Sequence, residues 1–194
     1  MKKIFLIVAV VIALGALWMT GIYNALVSGR ANVEREWSNV EVQYQRRSDL
    51  VPQLVATVSG VENFEKSTLT QVVEARAKAT STTVNVSDAA SLQKFEASQG
   101  ELSGALSRLL VTMEAYPQLT ASKSFQDLQA QLEGTENRIA VARGDYNTVA
   151  ATWNANVLQV PRVFIARLFG FEKAALFDAL PGSENAPKVE FTVN

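Results

Sequence analysis

SFQDLQAQLEGTENRIAVARGDYNTVAATW, residues 124–153, is the stretch that decides the fold. Within it Phe125, Leu128, Leu132, Thr135, Ile139, Ala142, Tyr146, Val149 and Trp153 follow one another by alternating steps of three and four. That spacing aligns side chains along one side of an α-helix and builds a packing seam. Polar residues flank it: Gln129, Glu136 and Arg143 on one side, Gln131, Arg138 and Asp145 on the other. Ser124 stands where an N-cap would close the first turn.

The preceding segment uses the same grammar. Leu92, Phe95, Gln99, Leu102, Leu106, Leu109, Met113 and Tyr116 again alternate three and four, with Gln99 as the polar interruption. Pro117 ends or sharply turns this helix, because a proline inside a helix costs about 3 kcal/mol. Asp88 is its expected N-cap, after a polar loop from Thr80 to Ser87. Further upstream, Val33, Trp37, Val40, Tyr44, Val51, Leu54, Val58, Val61, Val72 and Ala75 share one seam, on which Arg47, Glu65 and Thr68 are not apolar. Pro52 predicts a kink or a restart there, with Asp49 as the cap. Long apolar-striped segments joined by short links must fold back on one another to bury their stripes. The expected fold is all-α, an elongated antiparallel bundle of three or four helices over residues 24–158. Seams of this kind also suit intermolecular coiled coils.

Residues 1–3 form a short basic N-terminus, and Ile4 to Tyr23 is a run of 20 residues without a charge. At 1.5 Å per residue such a run crosses a hydrocarbon core of roughly 30 Å. Trp18 and Tyr23 lie toward its far end, where amphipathic rings favour the headgroup layer. The rival reading is a signal peptide cleaved near Ala13-Leu14-Gly15, but the run is long for one and no polar segment follows it. A transmembrane helix continuing directly into the first bundle helix is therefore expected. Lys2 and Lys3 on the short side nearly balance Arg30 and Arg35 on the long side. The reading adopted places the N-terminus inside and the main domain outside the cytoplasm.

Past Val160 the pattern changes. Residues 159–180 form an amphipathic segment in which RVFIARLFGF, 162–171, is dense in large apolar side chains, including Phe164, Leu168, Phe169 and Phe171. Two arginines punctuate it. It is open to lying on a membrane surface, closing the bundle end or seating a second subunit, and packing within the bundle or against a subunit is preferred because two arginines are a thin attraction for lipid. Residues 181–194 read as a loop-like tail in which Lys188 to Val193 alternates like a short strand.

The chemistry is mostly an absence. With 18 Lys+Arg against 19 Asp+Glu the net charge is -1, which argues against a nucleic-acid partner. The chain has no Cys and no His, so disulfides, thiolate or imidazole metal sites, a Cys nucleophile and a His general base are excluded. Ser91 and Lys94 match S-x-x-K without a companion motif. Glu62 with Glu65, and Glu133 with Glu136, pair carboxylates one turn apart, but helical di-metal sites add a His that is missing here. No cofactor is expected. A denser polar cluster, Asn137, Arg138, Arg143, Asp145 and Asn147, is read either as interhelical hydrogen bonding or as a partner-binding patch.

The motifs YNALVSGR (23–30), WSNVEVQYQRRSDLVPQL (37–54), ARA (75–77), LLVTMEAYP (109–117), LEGTENRI (132–139), ARGDYN (142–147), FGF (169–171) and APKVEF (186–191) occur in this order. Together they resemble the LemA family over nearly the whole chain. Two departures are visible: Gln53 replaces a usual Asn, and Phe64 replaces a frequent His before Glu65. The resemblance implies a bacterial single-pass protein of the cytoplasmic (inner) membrane with a helical bundle, and it brings no activity, cofactor or substrate. The frequent placement of family genes near those of membrane proteases is a further association. The expected function is a non-enzymatic, membrane-anchored scaffold that forms a homo-oligomer, with membrane lipid as partner of the N-terminal helix. The alternative is an adaptor for other envelope proteins such as a protease complex, and an enzyme is the third reading.

Overall fold

The computed structural model describes residues 1–61 and 64–178. The described residues form six helices and no strand: α1 (Lys2–Ser59), α2 (Lys66–Ser81), α3 (Ala89–Met113), α4 (Pro117–Thr120), α5 (Lys123–Leu158) and α6 (Arg162–Leu168). The strand expected at residues 188–193, like the rest of the tail from 179, lies outside the described residues. The fold is all-α with a long apolar N-terminal helix.

α1 is 58 residues long, about 87 Å of continuous helix. Its residues 2–21 are exposed, and an 18-residue window of α1 is apolar enough to cross a membrane. From Leu26 onward one side turns inward, burying Val33, Trp37, Val40, Tyr44, Leu50, Val51, Leu54 and Val58. α5 runs antiparallel to it. Gly29 abuts Trp153 at one level, and Arg47 pairs with Glu136 at another. The first contact is close: a Cβ at position 29 would stand 2.9 Å from the Trp153 ring, so glycine sets how near α1 and α5 approach. α2 and α3 form a second antiparallel pair, joined by Lys78–Glu101 and by the Gln99 amide donating to the Ala79 carbonyl.

The seams predicted from spacing are buried almost residue for residue. On α3, Leu92, Phe95, Gln99, Leu102, Leu106, Leu109 and Met113 are all inside, with Asp88 capping the helix through the Ala90 N–H. On α5 the seam drifts, because 3.6 residues per turn does not match a repeat of 3.5. Ala150, not Val149, follows Tyr146 into the core. The cap of α5 is also corrected: Ser122, not Ser124, accepts from the Phe125 N–H at 3.3 Å.

The core divides into two apolar clusters. One, nearer the apolar span, gathers Leu26, Trp37, Tyr44, Phe95, Tyr146 and Trp153 with Ile165, Ala174 and Phe177. The other, at the far end, gathers Leu54, Val58, Phe64, Val72, Leu109, Met113, Leu119 and Phe125. Between them lies a polar layer. Arg47, 2% exposed, donates to the Ser103 hydroxyl at 2.6 Å, the Gln99 side-chain oxygen at 2.6 Å and the Glu136 carboxylate at 2.8 Å. Gln99 passes the link on to α2 through Ala79.

Pro52 neither breaks the helix nor makes Asp49 a cap; α1 continues to Ser59 and the restart comes after Gly60. The structure supplies the reason. A proline removes the N–H that would bond the carbonyl four residues back, here that of buried Ser48. Arg76 on α2 fills the gap, its Nε donating to the Ser48 carbonyl at 2.8 Å. Arg76→Ala is therefore expected to lower stability by about 1–3 kcal/mol, the cost of orphaning a buried carbonyl. In a Pro52→Ala background the helix restores its own bond to Ser48 and the same change costs less. Urea unfolding followed by circular dichroism on the four variants checks this; equal costs in both backgrounds would refute the pairing.

Candidate functional site

The polar cluster expected on α5 is split by the helix between two faces. Arg143 and Asn147 turn toward the chain that leaves α6. Asn137, Arg138 and Asp145 turn the other way and line a groove against Glu36, Asn39 and Gln43 of α1. The cluster is thus not one site.

The first face grips an extended segment, residues 171–178, that runs back along α5. Asn154 makes two bonds to one peptide residue: its Oδ1 accepts from the Ala174 N–H at 2.7 Å and its Nδ2 donates to the Ala174 carbonyl at 2.8 Å. Asn147 does the same at Phe177, at 2.9 and 3.0 Å. The amide of asparagine thereby stands in for a neighbouring strand. The spacing has a simple origin. Seven residues of helix rise about 10 Å, and three residues of extended chain cover about the same distance. Trp153 Nε1 donates to the Glu172 carbonyl, the Tyr146 hydroxyl to that of Ala175, and Arg143 to that of Asp178. From the other side the Val86 carbonyl accepts from the Ala175 N–H at 2.7 Å. Asn154 escaped sequence reasoning because it lies outside the dense cluster; its offset of seven from Asn147 was the available signal.

Electrostatics here serve closure. Arg143 bonds Glu96 at 2.7 Å and sits 4.5 Å over the Phe177 ring. Loss of water raises the Glu96 carboxyl above its ordinary range; Arg143 opposes this and Asp178 adds to it. Burial likewise raises Tyr44 and pushes Tyr146 up to about 12.

The second face is an open groove of about 390 Å³. Gln43 places a buried side-chain oxygen there with no partner among the described residues. The apolar residues of the C-terminal segment also divide. Ile165 and Ala166 are buried against α1 and α5, whereas Phe164, Leu168 and Phe169 are exposed. Phe171 is half-buried against Trp153 and Tyr23.

The remaining motifs are occupied structurally. The Ser91 hydroxyl accepts from the Asn85 N–H in the α2–α3 loop, Glu65 accepts from Ser67, Glu133 from Gln129, and Glu136 from Arg47. Glu62 lies outside the described residues.

Residues 36–191 match the sequence profile of the LemA family. Among individual proteins, the chain is similar to Magnetosome protein MamQ 2 of Paramagnetospirillum magneticum, at 25% identity, with 84% of this chain and 66% of that protein aligned. It therefore spans slightly under two thirds of that relative's length. Magnetosome protein MamQ of Magnetospirillum gryphiswaldense is 24% identical over the same shares. Protein LemA of Metamycoplasma hominis is 23% identical, with 92% of this chain and 80% of that protein aligned.

Two outcomes follow from the site. Asn154→Ala orphans both polar groups of Ala174, an expected local loss of about 1–3 kcal/mol. Trypsin cleavage after exposed Lys173 should then quicken by about tenfold or more, with helix content unchanged; an unchanged rate would show that the clamp does not hold the segment. Tyr146 keeps its proton in the folded chain, whereas an unfolded tyrosine loses it near about pH 10. The folded state then binds more protons, so stability falls as pH rises from about 10 toward 12. Tyrosinate absorbance of Tyr146 should accordingly appear together with unfolding, and Tyr146→Phe should flatten that part of the pH dependence.

Proposed function

The chain belongs to the LemA family, and from that premise we propose that it is a non-enzymatic scaffold, held in the bacterial cytoplasmic membrane by one span and self-associating through its helical domain. The observation that carries this reading is the unbroken course of α1 from the apolar run into the core. A domain attached in this way is presented at a fixed height and tilt, which suits assembly of repeated copies and not a mobile tethered catalyst. Of the side chains that resembled catalytic motifs, Ser91, Glu65 and Glu136 spend hydrogen bonds on the fold. The groove between α1 and α5 supports the self-associating part, since it combines exposed Val141 with Arg138 and with the carboxylates of Glu36 and Asp145. Opposite charges around an apolar centre favour a self-complementary contact about a two-fold axis.

A second reading, an adaptor for another envelope protein, draws on the same groove and on the unpartnered Gln43 oxygen. That group lacks an acceptor's usual donor, and a partner's peptide N–H would supply it.

The two readings separate on one measurement: the mass of full-length protein extracted with its native lipid. Self-association predicts discrete multiples of the chain mass, collapsing to single copies in a Val141→Glu variant. A single copy in the wild type would refute the scaffold, and a hetero-complex lost in the same variant would establish the adaptor.

A further inference from the structure

We propose that α6 is a second membrane contact, a short helix lying in the headgroup layer of the bilayer that α1 crosses, with Phe164, Leu168 and Phe169 inserted at the acyl boundary. The inference rests on reading the first part of α1 as the span.

Position is the first argument. If Ile4 to Tyr23 fills the hydrocarbon core, Tyr23 stands at its edge. The Tyr23 ring meets Phe169 at 4.9 Å and Phe171 at 5.8 Å between centroids. The end of α6 is therefore held at the level where the chain enters the headgroups. Partition within α6 is the second argument. Ile165 and Ala166 are buried in the near cluster, so the helix is already fixed to the bundle. The opposite side carries Phe164 and Leu168, one turn apart and 67% and 71% exposed, followed by Phe169. An apolar patch continuous with the exposed apolar surface of α1 belongs to the same solvent as that surface.

Charge is consistent with the same occupant. Arg167 lies exposed beside Leu168, where its stem rests along an apolar layer while the guanidinium reaches lipid phosphate. Arg162, in contrast, is tied to Asn156 and serves the fold.

The chain has no cysteine, so one introduced thiol carries one label. Full-length protein with an environment-sensitive dye at Leu168→Cys is reconstituted into phosphatidylcholine–phosphatidylglycerol vesicles whose acyl chains bear bromine. Labels at Ala9→Cys, within the span, and at Val111→Cys, on the exposed surface near the end of α3, are the references. The expected result is strong quenching at 9 and at 168 and none at 111. Adding Phe164→Ser and Phe169→Ser should reduce quenching at 168 severalfold while leaving position 9 unchanged. Quenching at 9 with none at 168 overturns the proposal and keeps the span. No quenching at either position refutes the span and the proposal with it. A label at 168 shielded from aqueous iodide yet untouched by bromine would mean that a second copy covers α6, which also overturns it.

Discussion

The bundle is organised around one buried cation. Arg47 of α1 reaches Gln99 and Ser103 on α3 and Glu136 on α5, and Gln99 reaches the backbone of α2. Four helices are thus referred to a single level of the structure. A guanidinium removed from water is costly where its hydrogens are unmet, and the Arg47 Nε already has no partner among the described residues, so sliding any one helix past the others by a turn would strip further partners from it. Apolar seams alone tolerate such slips, because one heptad resembles the next. The charge gives a uniform seam a zero mark.

On either side of that mark the two clusters are built differently. The far one is a conventional meeting of α1, α2, α3 and α5, to which the short α4 adds Leu119. The near one has less helix to draw on, since α2 has ended and α3 has only begun, and the chain completes it with α6 and the extended segment 171–178. Trp37 illustrates the substitution: it contacts Phe95 of α3, Tyr146 of α5 and Phe177 of the extended segment at once. Asparagine is what lets a helix accept such a neighbour. A helix has no free backbone groups along its side, and Asn147 and Asn154 provide substitutes.

Much of this was legible in the sequence, and the exceptions are physical. Stripes on α3 and α5 were readable because burial imposes a period on side chains regardless of partner. Arg47 and Gln99 were visible as interruptions of two seams, but that they interrupt at the same level depends on how the helices are threaded, which no local pattern records. The restart expected at Pro52 does not occur, because the rule for proline treats the helix in isolation, while Arg76, distant in sequence, supplies the missing donor. The α5 polar cluster was read as one feature because its members are adjacent along the chain; 3.6 residues per turn sends Arg143 and Asn147 one way and Asn137 and Arg138 another. Asn154, which shares the face of Asn147, stands seven residues beyond it and so outside the dense stretch. α6 was offered packing or membrane as alternatives, although a helix has two sides and its inner side is taken by packing.

The bond from Arg76 to Ser48 also has a mechanical meaning. Among the described residues α1 alone carries the apolar run and reaches on into the far cluster, so it is the direct path for load between that run and the bundle tip. At Pro52 its own ladder lacks a rung, and the neighbour carries that rung. The bending stiffness of the rod is thereby lent to it by α2, and undocking α2 would turn a strut into an elbow at a fixed distance from the apolar run.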